Sequence, residues 1–154
     1  MNHDPLMKSL VGAATVVCSL CCHAAPDKLA YELQERCGIR ASVEFKREFG
    51  TAGTPVTKLG ATSFHNFQNH YNSRMNACIY LIRSSGFTAV RINKPGDGTK
   101  GHEMQALFNL NENKELGSYF KFTDSVSPMQ CQVGSSVCRS KEEWEVLIRP
   151  YLEE

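Results

Sequence analysis

Apolar residues recur every four positions at Leu29, Leu33, Cys37, Ala41 and Phe45, which lays them along one slowly drifting stripe of a helix. Asp27, just after Pro26, is the expected N-cap, and Gly50 the expected left-handed residue that ends the helix after Phe49. Gly38 lies inside the stripe and costs about 1 kcal/mol against alanine, so a kink or break would fall there. The stretch Thr51 to Thr62, with Gly53, Pro55 and Gly60, reads as a loop.

From Ser63 the period changes. Ala77-Cys78-Ile79-Tyr80-Leu81-Ile82 is a continuous apolar run rich in strand formers, which predicts a central strand covered on both faces. An edge strand is expected before it, over Phe64 to His70, with Asn72-Ser73-Arg74-Met75-Asn76 as the turn between them. Phe87 to Asn93 alternates moderately, Lys94 to Gly98 reads as a loop, and Met104 to Leu110 is a further strand. Asn111-Glu112-Asn113-Lys114 then turns into a strand over Gly117 to Phe122.

The last element carries a capping signature. Ser140 and Glu143 form a capping box, in which serine and glutamate each satisfy a backbone N–H at the helix start. Trp144, Leu147, Ile148, Tyr151 and Leu152 follow at helical spacing, a face wide enough to cover a sheet, and Pro150 removes one donor from the final turn. The expected fold class is α+β: an antiparallel meander of four to five strands flanked by an N-terminal and a C-terminal helix.

The first 24 residues read differently. Met7-Lys8 is followed by an apolar run from Leu10 to Leu20 and by Cys22-His23-Ala24-Ala25, the basic start, apolar core and small-x-small ending of a secretory signal peptide. The run is too short to span a bilayer as a helix. Residues 1–24 are therefore expected to be cleaved after Ala24, leaving residues 25–154 as one domain. Met1 to Leu6 brings an acid and a proline to a region that should be basic, which points to Met7 as the translation start. Cys18, Cys21 and Cys22 lie where a lipid-modified cysteine would sit. None combines an aliphatic residue three positions before with a small residue just before, so removal with the leader is the favoured reading.

Cysteine arithmetic supports that cut. Of seven cysteines, three fall in residues 1–24, which leaves Cys37, Cys78, Cys131 and Cys138. An even number in an exported chain implies disulfides. Cys131 and Cys138 flank a glycine-containing turn, so they are paired with each other, and Cys37 with Cys78. Zinc is disfavoured because the only close pair is separated by six residues, and no two-residue redox spacing occurs.

Composition narrows the rest. The chain has 154 residues, 42% of them apolar and 21% charged, with a formal net charge of +1. A near-neutral balance lacks the electrostatic footprint of a nucleic-acid binder, and no apolar stretch spans a membrane stably. No cofactor or metal ligand set is expected. His65 and His70 are five apart and point to opposite faces of a strand, and the loop from Gly96 to Gly101 before His102 has no phosphate-cradle spacing. No Gly-x-Ser-x-Gly elbow occurs, and Glu112 and Glu115 sit in a charged hairpin tip. No catalytic residue is assigned.

Asn69-His70-Tyr71-Asn72 with Asn76-Ala77-Cys78, Asn113-Lys114-Glu115-Leu116-Gly117, and Cys131 to Cys138 leading into Ser140-Lys141-Glu142-Glu143-Trp144 and Arg149-Pro150-Tyr151 resembles small exported bacterial proteins of uncharacterised function with four mature cysteines. The resemblance covers most of residues 25–154. It implies export and domain integrity, and lends no catalytic residue.

The polar-aromatic stretch from Phe64 to Asn72 has the most distinctive composition. Rings supply rigid contact area and amides supply hydrogen bonds, so Asn69, His70, Tyr71 and Asn72 are the candidate binding residues. The competing reading places Phe64 and Phe67 in the core and leaves the amides to discourage edge-to-edge pairing. The expectation is an exported binding or accessory protein, periplasmic or extracellular, recognising another protein or an envelope glycan. Two alternatives stay open: a small cell-envelope hydrolase using His102, Glu112 or Glu115, and a purely structural envelope protein.

Overall fold

The computed structural model describes residues 28–58, 61–89 and 99–153. The expected leader, its cysteines and the Asp27 cap lie outside the described residues. So does the loop over residues 94–98.

Helix α1 spans Lys28–Phe49, and α2 spans Lys141–Leu152. Between them lie β1 (Pro55–Lys58), β2 (Ala61–Asn72), β3 (Ala77–Ala89), β4 (Thr99–Asn109), β5 (Lys114–Phe122), β6 (Gln130–Val133) and β7 (Ser136–Val137). All neighbours pair antiparallel in the order β1-β2-β3-β4-β5-β6-β7, an unbroken meander. The fold is α+β with a helix at each end.

The meander holds more strands than the sequence pattern suggested. The stretch read as a loop contains β1, whose Pro55 to Lys58 pair with Phe64 to Ala61 and displace β2 from the sheet edge along that part of its length. Its Gly and Pro residues mark the approach to a short outer strand whose first residue is Pro55, a position where a sheet tolerates proline. At the other end, β6 and β7 form the hairpin that the Cys131–Cys138 bridge closes. Phe87 belongs to β3, which runs through Arg83-Ser84-Ser85-Gly86 because both neighbouring strands pair with it there.

Strand β3 explains the layering. Successive side chains on a strand point to opposite faces. Ala77, Ile79 and Leu81 join Leu107, Tyr119, Val133, Trp144 and Ile148 in one core. Cys78, Tyr80 and Ile82 join Cys37, Ala41, Phe45 and Leu110 in another. The two helices therefore cover opposite faces of one sheet. Each core has its own disulfide, Cys37–Cys78 under α1 and Cys131–Cys138 under α2, with Cα atoms 5.2 Å and 5.0 Å apart.

The helix ends are tied down. Gly50 has φ 81° and donates to the Lys46 carbonyl, closing α1 after Phe49. Helix α1 passes Gly38 without a break, and the Asn69 amide approaches it there. At α2 the Ser140 Oγ accepts from the Glu143 N–H at 3.2 Å. The Glu143 carboxylate reaches the Arg139 N–H at 2.7 Å, one residue before the serine. Pro150 is accommodated in the last turn, where its carbonyl accepts from the Asn72 amide at 2.9 Å.

Among the described residues, one buried side-chain group lacks a hydrogen-bond partner. Tyr80 is 3% exposed and its hydroxyl has no hydrogen bond among the described residues. Burial, with the Glu48 and Glu44 carboxylates adding to it, pushes this phenol well above its usual pKa. Tyr80→Phe removes the unmet donor, so it should raise the denaturation midpoint, by about 1 kcal/mol in stability. A midpoint lowered by a comparable amount would contradict this account. The loop-entropy relation assigns about 4 kcal/mol to Cys37–Cys78 and about 2.4 kcal/mol to Cys131–Cys138. Urea titration of the two double-alanine variants should show the larger loss for C37A/C78A.

Candidate functional site

The four residues singled out by composition sit together at the turn end of β2, where Asn69, Tyr71 and Asn72 bond to the helices. Asn72 is 1% exposed. Its Nδ2 donates to the Pro150 carbonyl at 2.9 Å and its Oδ1 accepts from the Met75 N–H at 3.0 Å. The Tyr71 N–H donates to Gln34 Oε1 at 2.6 Å and its hydroxyl bonds to Asn76 Oδ1 at 2.7 Å. The Asn69 amide meets Cys37 Sγ at 3.8 Å. His70 points to the α2 side with Asn72, while Asn69 and Tyr71 point to the α1 side.

The outer edge of β2 is closed by similar means. Gly53 donates to the His65 carbonyl at 2.8 Å, the Asn66 side chain accepts from the Phe67 N–H at 2.8 Å, and Gln34 takes the Tyr71 N–H. The Gly53 backbone and the Asn66 and Gln34 side chains thus occupy backbone groups that would otherwise recruit another strand.

The groups considered for hydrolysis are not assembled. His102 packs 6.1 Å from the Phe120 ring near one end of β4, while Glu112 and Glu115 are exposed around the turn at the other. From residue 102 to 109 the strand alone covers about 24 Å at about 3.4 Å per residue. A different pair does meet: His65 Nδ1 lies 2.7 Å from Ser84 Oγ, and its ring stacks on Phe49 at 4.4 Å. Ser84 is 4% exposed, and no carboxylate is hydrogen-bonded to the His65 ring among the described residues to complete a nucleophilic triad. Among the described residues, no group of three or more His, Cys, Asp or Glu is placed to hold a metal ion.

The open site lies higher on the sheet. Helix α2 crosses its face from Lys141, which pairs with Glu103, to Pro150 and Tyr151 beside Asn72. Beyond that diagonal the same face is bare. A groove of about 520 Å³ forms there, lined by residues that include Phe64, Asn66, Arg83, Ser85, Phe87, Glu103, Thr123 and Lys141. Phe64 and Phe87 are 40% and 53% exposed. The register places them diagonally on adjacent strands, at a spacing of about 7 Å. Gly101 lies beside Phe87: a Cβ there would stand 2.8 Å from the Thr123 methyl and 3.4 Å from the Phe87 ring.

A hydrogen-bonded chain fixes the groove floor. Buried Trp144 donates from Nε1 to Gln105 Oε1 at 2.9 Å, and Gln105 Nε2 donates to Glu103 Oε1 at 3.1 Å. Lys141 completes the chain by binding the same carboxylate oxygen. Gln105 is 1% exposed, so both ends of its amide need partners and its orientation is determined. Arg83 Nη1 donates to Gln68 Oε1 at 3.1 Å, and no carboxylate pairs with it among the described residues. Sequence reasoning missed Arg83, Glu103 and Lys141 because they lie far apart in the chain. The exposed Phe64 was visible only as part of an aromatic stretch.

No protein-family model, curated protein or solved structure matches this chain. No helix among the described residues is long and apolar enough to cross a membrane.

Burial lowers the His65 pKa, opposed by Glu48 and reinforced by His102 and Lys58. A histidine depressed in the folded state binds fewer protons than in the unfolded chain. Its contribution to stability is therefore complete above about pH 6.5 and is lost as pH falls from there through the folded pKa. Thermal melts between pH 7.5 and 5 should show this decline, and His65→Gln should flatten it; an unchanged slope in the variant would contradict the assignment.

Proposed function

We propose that this chain is an exported binding or accessory module that recognises an envelope component through the groove beside α2. The observation that carries the reading is the fixed polar floor, Trp144 to Gln105 to Glu103 to Lys141, next to two exposed phenylalanine rings. A polar chain of this kind orients a binding group before the ligand arrives, which reduces the ordering cost of association. Large apolar rings left on a sheet face beside it supply the contact area.

Export rests on the leader-like N-terminus and on the two disulfides, which fit an oxidising compartment. Of the candidate residues, Asn69, Tyr71 and Asn72 contribute here by holding the lower half of the same strand, which also carries His70, so that Phe64 and Asn66 are presented at its upper half.

The test has two parts. Peptide mapping of the protein recovered from its own cells should find a start at Ala25. The purified protein should then co-sediment with the envelope fraction of those cells. Phe64→Ala/Phe87→Ala should weaken this about tenfold with little change in melting temperature, because both rings are already exposed. Cytoplasmic recovery with an intact leader, or sedimentation indifferent to both substitutions, would overturn the proposal.

A further inference from the structure

The groove also carries information about what it binds, and the step below rests on the reading just proposed. At Arg83, Ser85 and Phe87 the strand β3 lies between β2 and β4, paired to both. Its backbone donors and acceptors are consumed within the sheet, so an extended peptide finds no main-chain edge to join. A ligand must lie flat on the face and be held by side chains alone.

The groove presents two exposed rings, the Asn66 amide, the Ser85 and Thr123 hydroxyls, the Glu103 carboxylate paired with Lys141, and the Arg83 guanidinium. Rings below and short polar groups around them match a pyranose, which has an apolar C–H face and a rim of hydroxyls. Amide and carboxylate together can accept from and donate to neighbouring hydroxyls. The charges in the groove are unequal. Glu103, diagonal to Arg83 on the next strand, already binds Lys141, whereas Arg83 is held by a neutral Gln68 and forms no ion pair among the described residues. A guanidinium fixed on one side by a neutral amide keeps the rest of its fork for a planar anion.

We infer that the groove takes an oligosaccharide bearing a carboxylate, with the sugar faces on Phe64 and Phe87 and the carboxylate on Arg83. The experiment is a calorimetric titration of the oxidised protein with oligosaccharides of uronic, sialic and muramic acids, each beside its carboxyl-reduced neutral counterpart. At least one acidic member should bind, its neutral counterpart at least tenfold more weakly, and Arg83→Gln should abolish the difference. Arg83 is half-buried on a sheet face, so Arg83→Lys serves as a second variant that retains charge while losing the fork; it should recover only part of the affinity. Equal binding of acidic and neutral forms, or no effect of Arg83→Gln, overturns the assignment. Envelope sedimentation that persists while every sugar fails also overturns it and leaves the broader binding reading standing. Failure of both removes that reading as well.

Discussion

Six consecutive apolar residues on one strand, Ala77 to Ile82, cannot all be buried by a single layer. Alternate residues face opposite ways, so both faces of the sheet require cover, and each receives a helix. The fold answers this with chain order: α1 enters before the meander and packs on Cys78, Tyr80 and Ile82, and α2 leaves after it and packs on Ala77, Ile79 and Leu81. Each core is small. A disulfide in each limits the unfolded ensemble and compensates for the modest area that a 22-residue and a 12-residue helix can hide.

Two helices of unequal length do not cover two faces equally. Helix α2 crosses diagonally, fixed at one end by Lys141 and Trp144 over β4 and at the other by Asn72 of β2. The upper ends of β2, β3 and β4 on that side are left open, and the groove follows from that geometry. The same contacts that seat the helix also orient Glu103, so the site's polar floor is part of the scaffold. The nearby His65–Ser84 bond serves the other face, seating the end of α1 through the Phe49 ring.

Strong local patterns were legible in the sequence. The four-residue apolar stripe, the continuous run at 77–82 and the Ser140/Glu143 box mark α1, β3 and α2 because each depends on neighbours along the chain. The pairing of Cys131 with Cys138 was legible from a short turn, and that of Cys37 with Cys78 followed by exclusion. Strands β1, β6 and β7 were not legible, since four, four and two residues carry too little periodicity and their stability comes from pairing. The groove was hidden for a different reason. Arg83, Glu103 and Lys141 are ordinary surface-type charges in sequence and become a site only when β3, β4 and the start of α2 are brought side by side. Asn72 had the opposite history: its polarity suggested recognition, and its position makes it the clasp between β2 and the end of α2.

One strand, β3, is clamped between two cores that depend on it jointly. Native-state hydrogen exchange of the oxidised protein measures this directly, because amides in a jointly buried strand open only with the whole domain. The amides of Ile79, Tyr80, Leu81 and Ile82 should share the slowest rate, and removing either disulfide should accelerate all four together. Acceleration confined to the face from which a disulfide was removed would contradict it, since the two layers would then fold as independent units.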